Sequence, residues 1–294
     1  MKHVDTREFK VSKTTSLKEQ PTLINNDTKD DEKKDALKEV SKDLSKLQEA
    51  MYANNRYSVL ICLQGMDTSG KDSLIREIFK YFNARGVMVY SFKQPTSQEL
   101  RHDYLWRHYE ALPQRGKFGV FNRSHYENVI VTRVHPEYLL KENMPGIEKV
   151  EDVTDDFWKN RIESINNFEK HLAENGTIVL KFFLHLSKEE QRQRLLRRLE
   201  LKSHNWKFSP GDLQERELWD KYQEYYEDAL KKTSTPHAPW YVIPADDKKA
   251  SRYFVAKIIL DELQKYDIHE PEVDEKVLEN INIYKRKLAS EELD

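Results

Sequence analysis

Gly65, Met66, Asp67, Thr68, Ser69, Gly70 and Lys71 fit the spacing G-x-x-x-x-G-K. The motif follows the apolar run Ser58 to Gln64 and precedes a helical pattern with Leu74, Ile75 and Ile78, the strand-loop-helix context that gives it meaning. Glycines let the backbone close around an anion, successive N–H groups and the helix start stabilise negative charge, and Lys71 reaches the transferring phosphate. Gly65, Ser69, Gly70, Asp72 and Ser73 are the phosphate-binding candidates around it. Asp72 stands where Ser or Thr usually follows the lysine, which puts metal ligation by that hydroxyl in doubt. Asp67 lies inside the loop, where a carboxylate would repel phosphate. It is a candidate metal ligand or base, or else a turn former bonded to its own loop.

A second cluster follows the run Gly119 to Asn122: Asn122, Arg123, Ser124, His125, Tyr126 and Glu127, with Arg133 and His135 further on. A second phosphate-site strand normally ends in an acidic metal ligand; here neutral Asn122 takes that place and is assigned to the nucleotide. The nearest carboxylate is Glu127, so Asp67 and Glu127 are expected to share a Mg²⁺ ion, or Mn²⁺ in its place. Asp67, Lys71, Arg123 and Glu127 form the expected catalytic set. Arg123 and Arg133 are read as planar forks for phosphate, against the plainer reading of each as a salt-bridge partner.

From Arg192 to Lys207 six basic residues face one acid, Glu200, and Arg194, Arg197 and Arg198 share a helix face. Arg197, Arg198, Lys202 and Lys207 are therefore candidates to bind the phosphates of a multiply charged anion. The stretch 188–235 reads as two capped helices, Ser187 pairing with Glu190 and Ser209 with Asp212. Inserted after a P-loop core, they suggest a lid that excludes water from phosphoryl transfer.

These residues need a scaffold. Strand signals fall at Ser58 to Gln64, Val87 to Phe92, Gly119 to Asn122, Thr177 to Leu186 and Trp240 to Pro244, with helical patterns between them. The runs are continuously apolar, as for parallel strands covered on both faces. That predicts a three-layer α/β P-loop sandwich with ligands at the carboxyl ends of the strands. Three segments are expected: a polar arm over 1–31, disordered or wrapped on a neighbouring surface, the phosphotransferase domain over 32–270, and a charged helical tail over 271–294. Leu37, Val40, Leu44, Leu47 and Met51 make one stripe on a helix ending near Asn54 and Asn55, read as a docking face and a homo-oligomer contact, dimer or tetramer.

The 294 residues suffice for a substantial core. A formal net charge of -2 argues against a general nucleic-acid binder and requires any polyanion site to be a local cluster. The one cysteine, Cys62, sits in the first apolar run and reads as a small buried hydrophobe. With no secretory leader pattern and no run of about 20 apolar residues, the chain is expected to be cytoplasmic, with no membrane partner.

The loop GMDTSGKD, the block FNRSHYENVIVTRVHPEYLL, the earlier SFKQPTSQELRHDYLWRHYEALP and the segment NWKFSPGDLQER together resemble the polyphosphate kinase 2 family over roughly residues 30 to 265. The FNRSHYE form resembles the branch called class III, associated with phosphorylating nucleoside monophosphates and diphosphates. The resemblance implies Mg²⁺-dependent transfer between inorganic polyphosphate and AMP or ADP on a fold similar to thymidylate kinase. Asp67 and Lys71 match the family's loop residues, Arg123 its second-motif arginine, Arg133 its downstream arginine, and Arg197, Arg198 and Lys207 its basic lid. Thr68, Ser69 and Ser73 replace the more usual Ala, Ala and Thr. Two other readings remain: a nucleoside or nucleotide kinase using ATP, and a non-catalytic regulator that binds nucleotide or polyphosphate.

Overall fold

The structure is a computed structural model that describes residues 4–24, 27–203, 205 and 208–291. Among the described residues five strands form one parallel sheet: β1 (Ser58–Gln64), β2 (Val87–Ser91), β3 (Phe118–Asn122), β4 (Thr177–His185) and β5 (Trp240–Pro244), in the order β2-β3-β1-β4-β5. Every pairing is parallel; Leu63 of β1 stands level with Asn122 of β3 and Phe182 of β4. The chain leaves β1 toward β2 and leaves β4 toward β5 on the opposite side. A crevice between these adjacent strands is where ligands bind in such sheets.

The helices are α1 (Asp30–Asn54), α2 (Lys71–Ile78), α3 (Trp106–Glu110), α4 (Val131–Val134), α5 (Asp155–Glu174), α6 (Lys188–Glu200), α7 (Gly211–Glu217), α8 (Trp219–Thr233), α9 (Lys248–Leu263) and α10 (Glu275–Ser290). Alternate β1 side chains serve opposite layers, as a pleated strand requires. Val59, Ile61 and Leu63 pack with Val40 and Leu44 of α1, Leu74 and Ile78 of α2 and Phe254 of α9. Leu60 and Cys62 pack with Phe168 and Leu172 of α5. Cys62 is fully buried, and burial pushes its thiol pKa upward, which makes it inert.

Several expectations change in three dimensions. The stripe Val40, Leu44 and Met51 is buried, with Leu37 and Leu47 packed on the same cluster, so this face of α1 docks on its own chain and is not available as an oligomer contact. Residues 4–24 are no loose arm: Phe9, Val11 and Leu17 are buried, Lys10 bridges to Tyr241 at the sheet edge, and Thr22 Oγ1 donates to Asp246 at 2.8 Å. Of the stretch read as a lid, α8 belongs to the core, where Trp219, Tyr222, Tyr226 and Leu230 pack under β4 and β5. α6 buries Gln191, Arg194 and Leu195, whereas α7 buries none of its residues and is the part of that stretch left as a candidate cover. α10 buries none of its residues.

Ser187 caps α6 by accepting from Glu190 N–H at 3.0 Å. Before α7 the Ser209 side chain makes no such bond and Asp212 reaches back to Ser209 N–H instead. Gly176 follows α5 at φ 88°, the left-handed turn that stops the helix.

Candidate active site

The loop after β1 turns through left-handed conformations at Gly65 (φ 147°), Thr68 (φ 66°) and Gly70 (φ 107°). A Cβ on Gly65 would meet the Leu184 carbonyl at 2.9 Å, so only glycine lets the loop lie this close to β4. Thr68 is β-branched and holds this conformation at a cost, with its Oγ1 buried and unpartnered. That hydroxyl is a free donor at the loop.

Lys71 begins α2 and folds back into the loop. Its Nζ donates to the Gly65 carbonyl at 2.6 Å and approaches the Met66 carbonyl at 3.3 Å and Ser69 Oγ at 3.4 Å. Burial, then repulsion from Arg123, lowers its pKa to about 8. An arriving phosphate would relieve both. Ser69 is buried beneath the ammonium, and Ser73 Oγ donates to the Gly70 carbonyl at 2.9 Å, which anchors the first turn of α2.

Arg123 follows β3 at φ 62°, an unusual conformation for a bulky residue, and its N–H is pinned to the Leu63 carbonyl at 3.0 Å. Its guanidinium bonds Asp67 Oδ1 at 3.1 Å. The loop carboxylate that would repel phosphate is thus paired with a cation. Burial would lower the Arg123 pKa, but Glu127 and Asp67 outweigh it and hold the charge. Glu127 has its pKa raised by burial, opposed by Arg123 and Lys71. Asn122 donates to Asp72 Oδ1 at 2.6 Å and to Ser91 Oγ at 3.3 Å, joining the two motifs, while its Oδ1 is buried without a partner.

A fully buried network lies behind this segment. Glu169 of α5 pairs with Lys181 of β4, accepts from Tyr126 Oη at 2.8 Å and lies 3.0 Å from His125 Nε2. Lys181 also donates to Tyr126 Oη and the Thr233 carbonyl, each at 2.8 Å. Burial alone would raise the Glu169 pKa, but Lys181 and His125 outweigh it and hold the carboxyl below its usual range, while burial lowers the Lys181 pKa against the pull of Glu169. His125 and Tyr126 are thereby fixed, and with them the flanking Arg123 and Glu127.

Asp67, Arg123 and Glu127 open onto a cavity of about 240 Å³ whose other walls include Lys93, Arg107, Tyr138, Lys141, Glu215 and Tyr222. These wall residues are absent from the set expected from sequence. Their signal was position, since Lys93 stands just beyond β2 at the carboxyl end of the sheet. Arg107 donates to the Lys93 carbonyl at 2.9 Å and shapes that loop.

The basic residues divide by role. Arg194, which the spacing placed on one helix face with Arg197 and Arg198, is buried and clamps the loop: Nη1 donates to the Thr68 and Ser69 carbonyls at 2.9 and 3.1 Å, Nη2 to the Ala245 and Asp246 carbonyls at 2.7 and 2.9 Å, and Nε to Glu190 at 2.8 Å. Gln191 adds a bond to the Asp67 carbonyl at 3.1 Å. Arg133 is not brought to the loop. It pairs with Asp228 at 2.6 Å between the rings of Tyr225 and Trp158, which supports the plainer reading of it as a salt-bridge partner. Arg197 and Lys202 are exposed, Arg198 bonds Asp212 at 3.2 Å, and Lys207 lies outside the described residues.

Among the described residues no three His, Cys, Asp or Glu converge on a preformed metal site. Mg²⁺ needs less from the protein, because one or two carboxylates plus substrate phosphates and water complete its octahedron. Asp67 and Glu127 on one cavity and the unpartnered Asn122 Oδ1 supply hard oxygens that fit it.

A parallel sheet, a glycine loop with a buried lysine at the start of α2, and an arginine-lined cleft at the strand ends define a P-loop phosphotransferase. Comparison with known proteins is narrower: residues 27–271 match the polyphosphate kinase 2 family, and the chain belongs to it. It is 48% identical over 229 residues to an ADP-polyphosphate phosphotransferase of Rhodopseudomonas palustris, covering 78% of each chain. It is 45% identical over 238 residues to an AMP/ADP-polyphosphate phosphotransferase of Meiothermus ruber, covering 81% of this chain and 84% of that one. The crystal structure of polyphosphate kinase 2 from Arthrobacter aurescens TC1 superposes with a TM-score of 0.87 at 33% identity, over 96% of this chain and 97% of that one.

Proposed function

We propose that this chain transfers a terminal phosphoryl group between inorganic polyphosphate and both AMP and ADP, with Mg²⁺ held by Asp67 and Glu127. The observation that carries the reading is the placement of Arg123 and Asp67, paired at 3.1 Å where the loop meets the cleft. Phosphate oxygens from donor and acceptor can meet the guanidinium and Lys71 there together. The relatives' names supply the donor, and the name of the Meiothermus ruber protein supports acceptance of both nucleotides.

Little covalent work falls to the protein in phosphoryl transfer; positioning and charge neutralisation carry the rate. Lys71 and the loop N–H groups bind the transferring phosphoryl. Arg123, held in its strained conformation, neutralises charge on the reacting oxygens. Glu127 accepts a proton or orients the acceptor phosphate from the cleft side. The tyrosine and lysine walls enclose the nucleotide and exclude water, so that hydrolysis does not compete. Mg²⁺, when bound, neutralises charge between the two phosphate groups.

Purified chain incubated with AMP or with ADP, Mg²⁺ and polyphosphate, no ATP supplied, should yield ADP and ATP respectively. No product from either, with turnover when ATP replaces polyphosphate as donor to AMP, would overturn the reading in favour of an ATP-dependent kinase. The chain is further proposed to act as a cytoplasmic homo-oligomer. No described helix is long and apolar enough to cross a membrane, and light scattering of the purified protein reads its mass.

A further inference from the structure

The phosphate loop is held from outside by a chain of contacts that starts in the N-terminal segment 4–24. That segment lies on the body of the protein as a strap: Phe9 packs on Phe254 of α9 with ring centroids 5.0 Å apart, Val11 N–H donates to the Trp240 carbonyl at 2.9 Å, and Leu17 N–H donates to Glu227 of α8 at 2.8 Å. Its far end meets Asp246, in the connection between β5 and α9. Every polar group of Asp246 is engaged there. Oδ2 accepts from Thr22 Oγ1 and Oδ1 from Ser187 N–H at the start of α6, each at 2.8 Å, the N–H donates to the Thr22 carbonyl at 2.9 Å, and the carbonyl accepts from Arg194 Nη2 at 2.9 Å.

We infer that Thr22 is a positioning residue for phosphoryl transfer, acting on the phosphate loop through Asp246 and Arg194. The Ala245 carbonyl and the Asp246 N–H belong to one peptide unit, which is planar and trans, so the two groups point opposite ways and turn together. Thr22 holds the N–H of that unit at 2.9 Å and Arg194 Nη2 holds its carbonyl at 2.7 Å. Through Nη1 the same guanidinium holds the Thr68 and Ser69 carbonyls. Thr68 sits at φ 66°, a conformation that a β-branched residue keeps only while its surroundings enforce it. The loop N–H groups converge on a phosphate only while that turn is kept. The strap thus belongs to the working site, although none of its described residues lines the cleft. The inference rests on the loop being the phosphoryl-binding element, and it assigns Thr22 to binding of the donor rather than to the chemical step.

The test follows kcat and KM for long-chain polyphosphate at one fixed acceptor, together with hydrogen exchange of the segment 65–71 measured without substrate. Thr22→Val removes the hydroxyl at nearly constant volume and should raise KM about threefold, a fraction of one hydrogen bond's worth, while kcat changes less than about twofold. The loop amides should exchange faster by about the same factor. Thr22→Ser, which keeps the hydroxyl, should return both to near wild type. With Arg194→Lys already present, which keeps the charge but not the fork, Thr22→Val should raise KM less than about 1.5-fold, since the link it acts through is already cut. Phe9→Leu loosens the strap at its other end and should lower the melting temperature while leaving KM and loop exchange at their wild-type values. Unchanged KM and unchanged exchange in Thr22→Val overturn the inference, as does a Phe9→Leu protein that matches Thr22→Val in both. A wild-type protein inert with polyphosphate sinks the polyphosphate reading instead, and the exchange comparison, made without substrate, then decides the role of the strap.

Discussion

Lys71 offers one quantity that can be read in two independent ways. Burial and the neighbouring Arg123 place its pKa at about 8 in the folded protein, against 10.5 for an ordinary lysine. The ammonium is the form that binds phosphate, so kcat/KM should fall as pH rises through about 8, while the limb in kcat, measured with phosphate bound, should lie higher. Stability should move the opposite way. Because the folded pKa is depressed, the unfolded chain binds more protons between pH 8 and 10.5, and this group's contribution to stability increases as pH rises through that window. With these two pKa values, the lysine's contribution improves by about 2.5 kcal/mol between pH 7 and pH 10. Other groups titrate in that range, so the measurement is the difference between wild type and Lys71→Met, by urea unfolding at both pH values. The gap should shift by about 2.5 kcal/mol in favour of wild type on going to pH 10. A gap that does not change, together with an alkaline limb near that of free lysine, would refute the account of Lys71 as a desolvated ammonium waiting for its anion.

Arg123→Ala and Arg123→Gly should each lower kcat/KM on the order of 100-fold or more; the glycine protein should unfold about 1 kcal/mol less readily than the alanine one, because it adopts the left-handed turn without penalty. Lys181→Met leaves Glu169 buried without its cation and should cost about 3 to 5 kcal/mol in urea unfolding, whereas adding Glu169→Leu should recover part of the loss. Arg194→Met strips the loop carbonyls of their donor; a loss of about 2 to 4 kcal/mol is expected in thermal or urea unfolding, with a raised KM for the donor. Arg133→Met, by contrast, should change kcat/KM less than about threefold, since it lies on Asp228 and not at the loop.

All five strands were legible in the sequence to within a residue or so, because a parallel sheet covered on both faces leaves continuous apolar runs between breaks. The loop was legible for the same reason: its glycines serve a local backbone geometry that neighbouring residues dictate. What escaped is what depends on distant segments. Arg194 and Arg197 look alike in a row of basic residues, and only the meeting of α6 with the loop and with Ala245 shows that one is a clamp and the other a surface cation. Arg133 has the type and the position of a phosphate ligand, yet Asp228, 95 residues later, claims it. Lys93, Arg107 and Lys141 gather on one cavity from separate segments that no local pattern links. The stripe of α1 declared that the helix docks but not on what, since a buried face reads the same whether the partner is α9 or another copy.

The N-terminal segment ties itself almost entirely to the far end of the chain. Leu17 bonds Glu227, Thr22 bonds Asp246 and Thr6 reaches Asp261, separations of 210, 224 and 255 residues, and α1 is covered by α9. During synthesis at roughly 5 to 20 residues per second, these segments emerge ahead of their partners and therefore wait about 10 to 50 seconds for them. For that interval the apolar stripe of α1 is exposed, and the nascent chain presents the surface that chaperones hold and that neighbouring chains aggregate through. The layer that ends up sealing the sheet is the last to close, so the same segments should also be among the first to open.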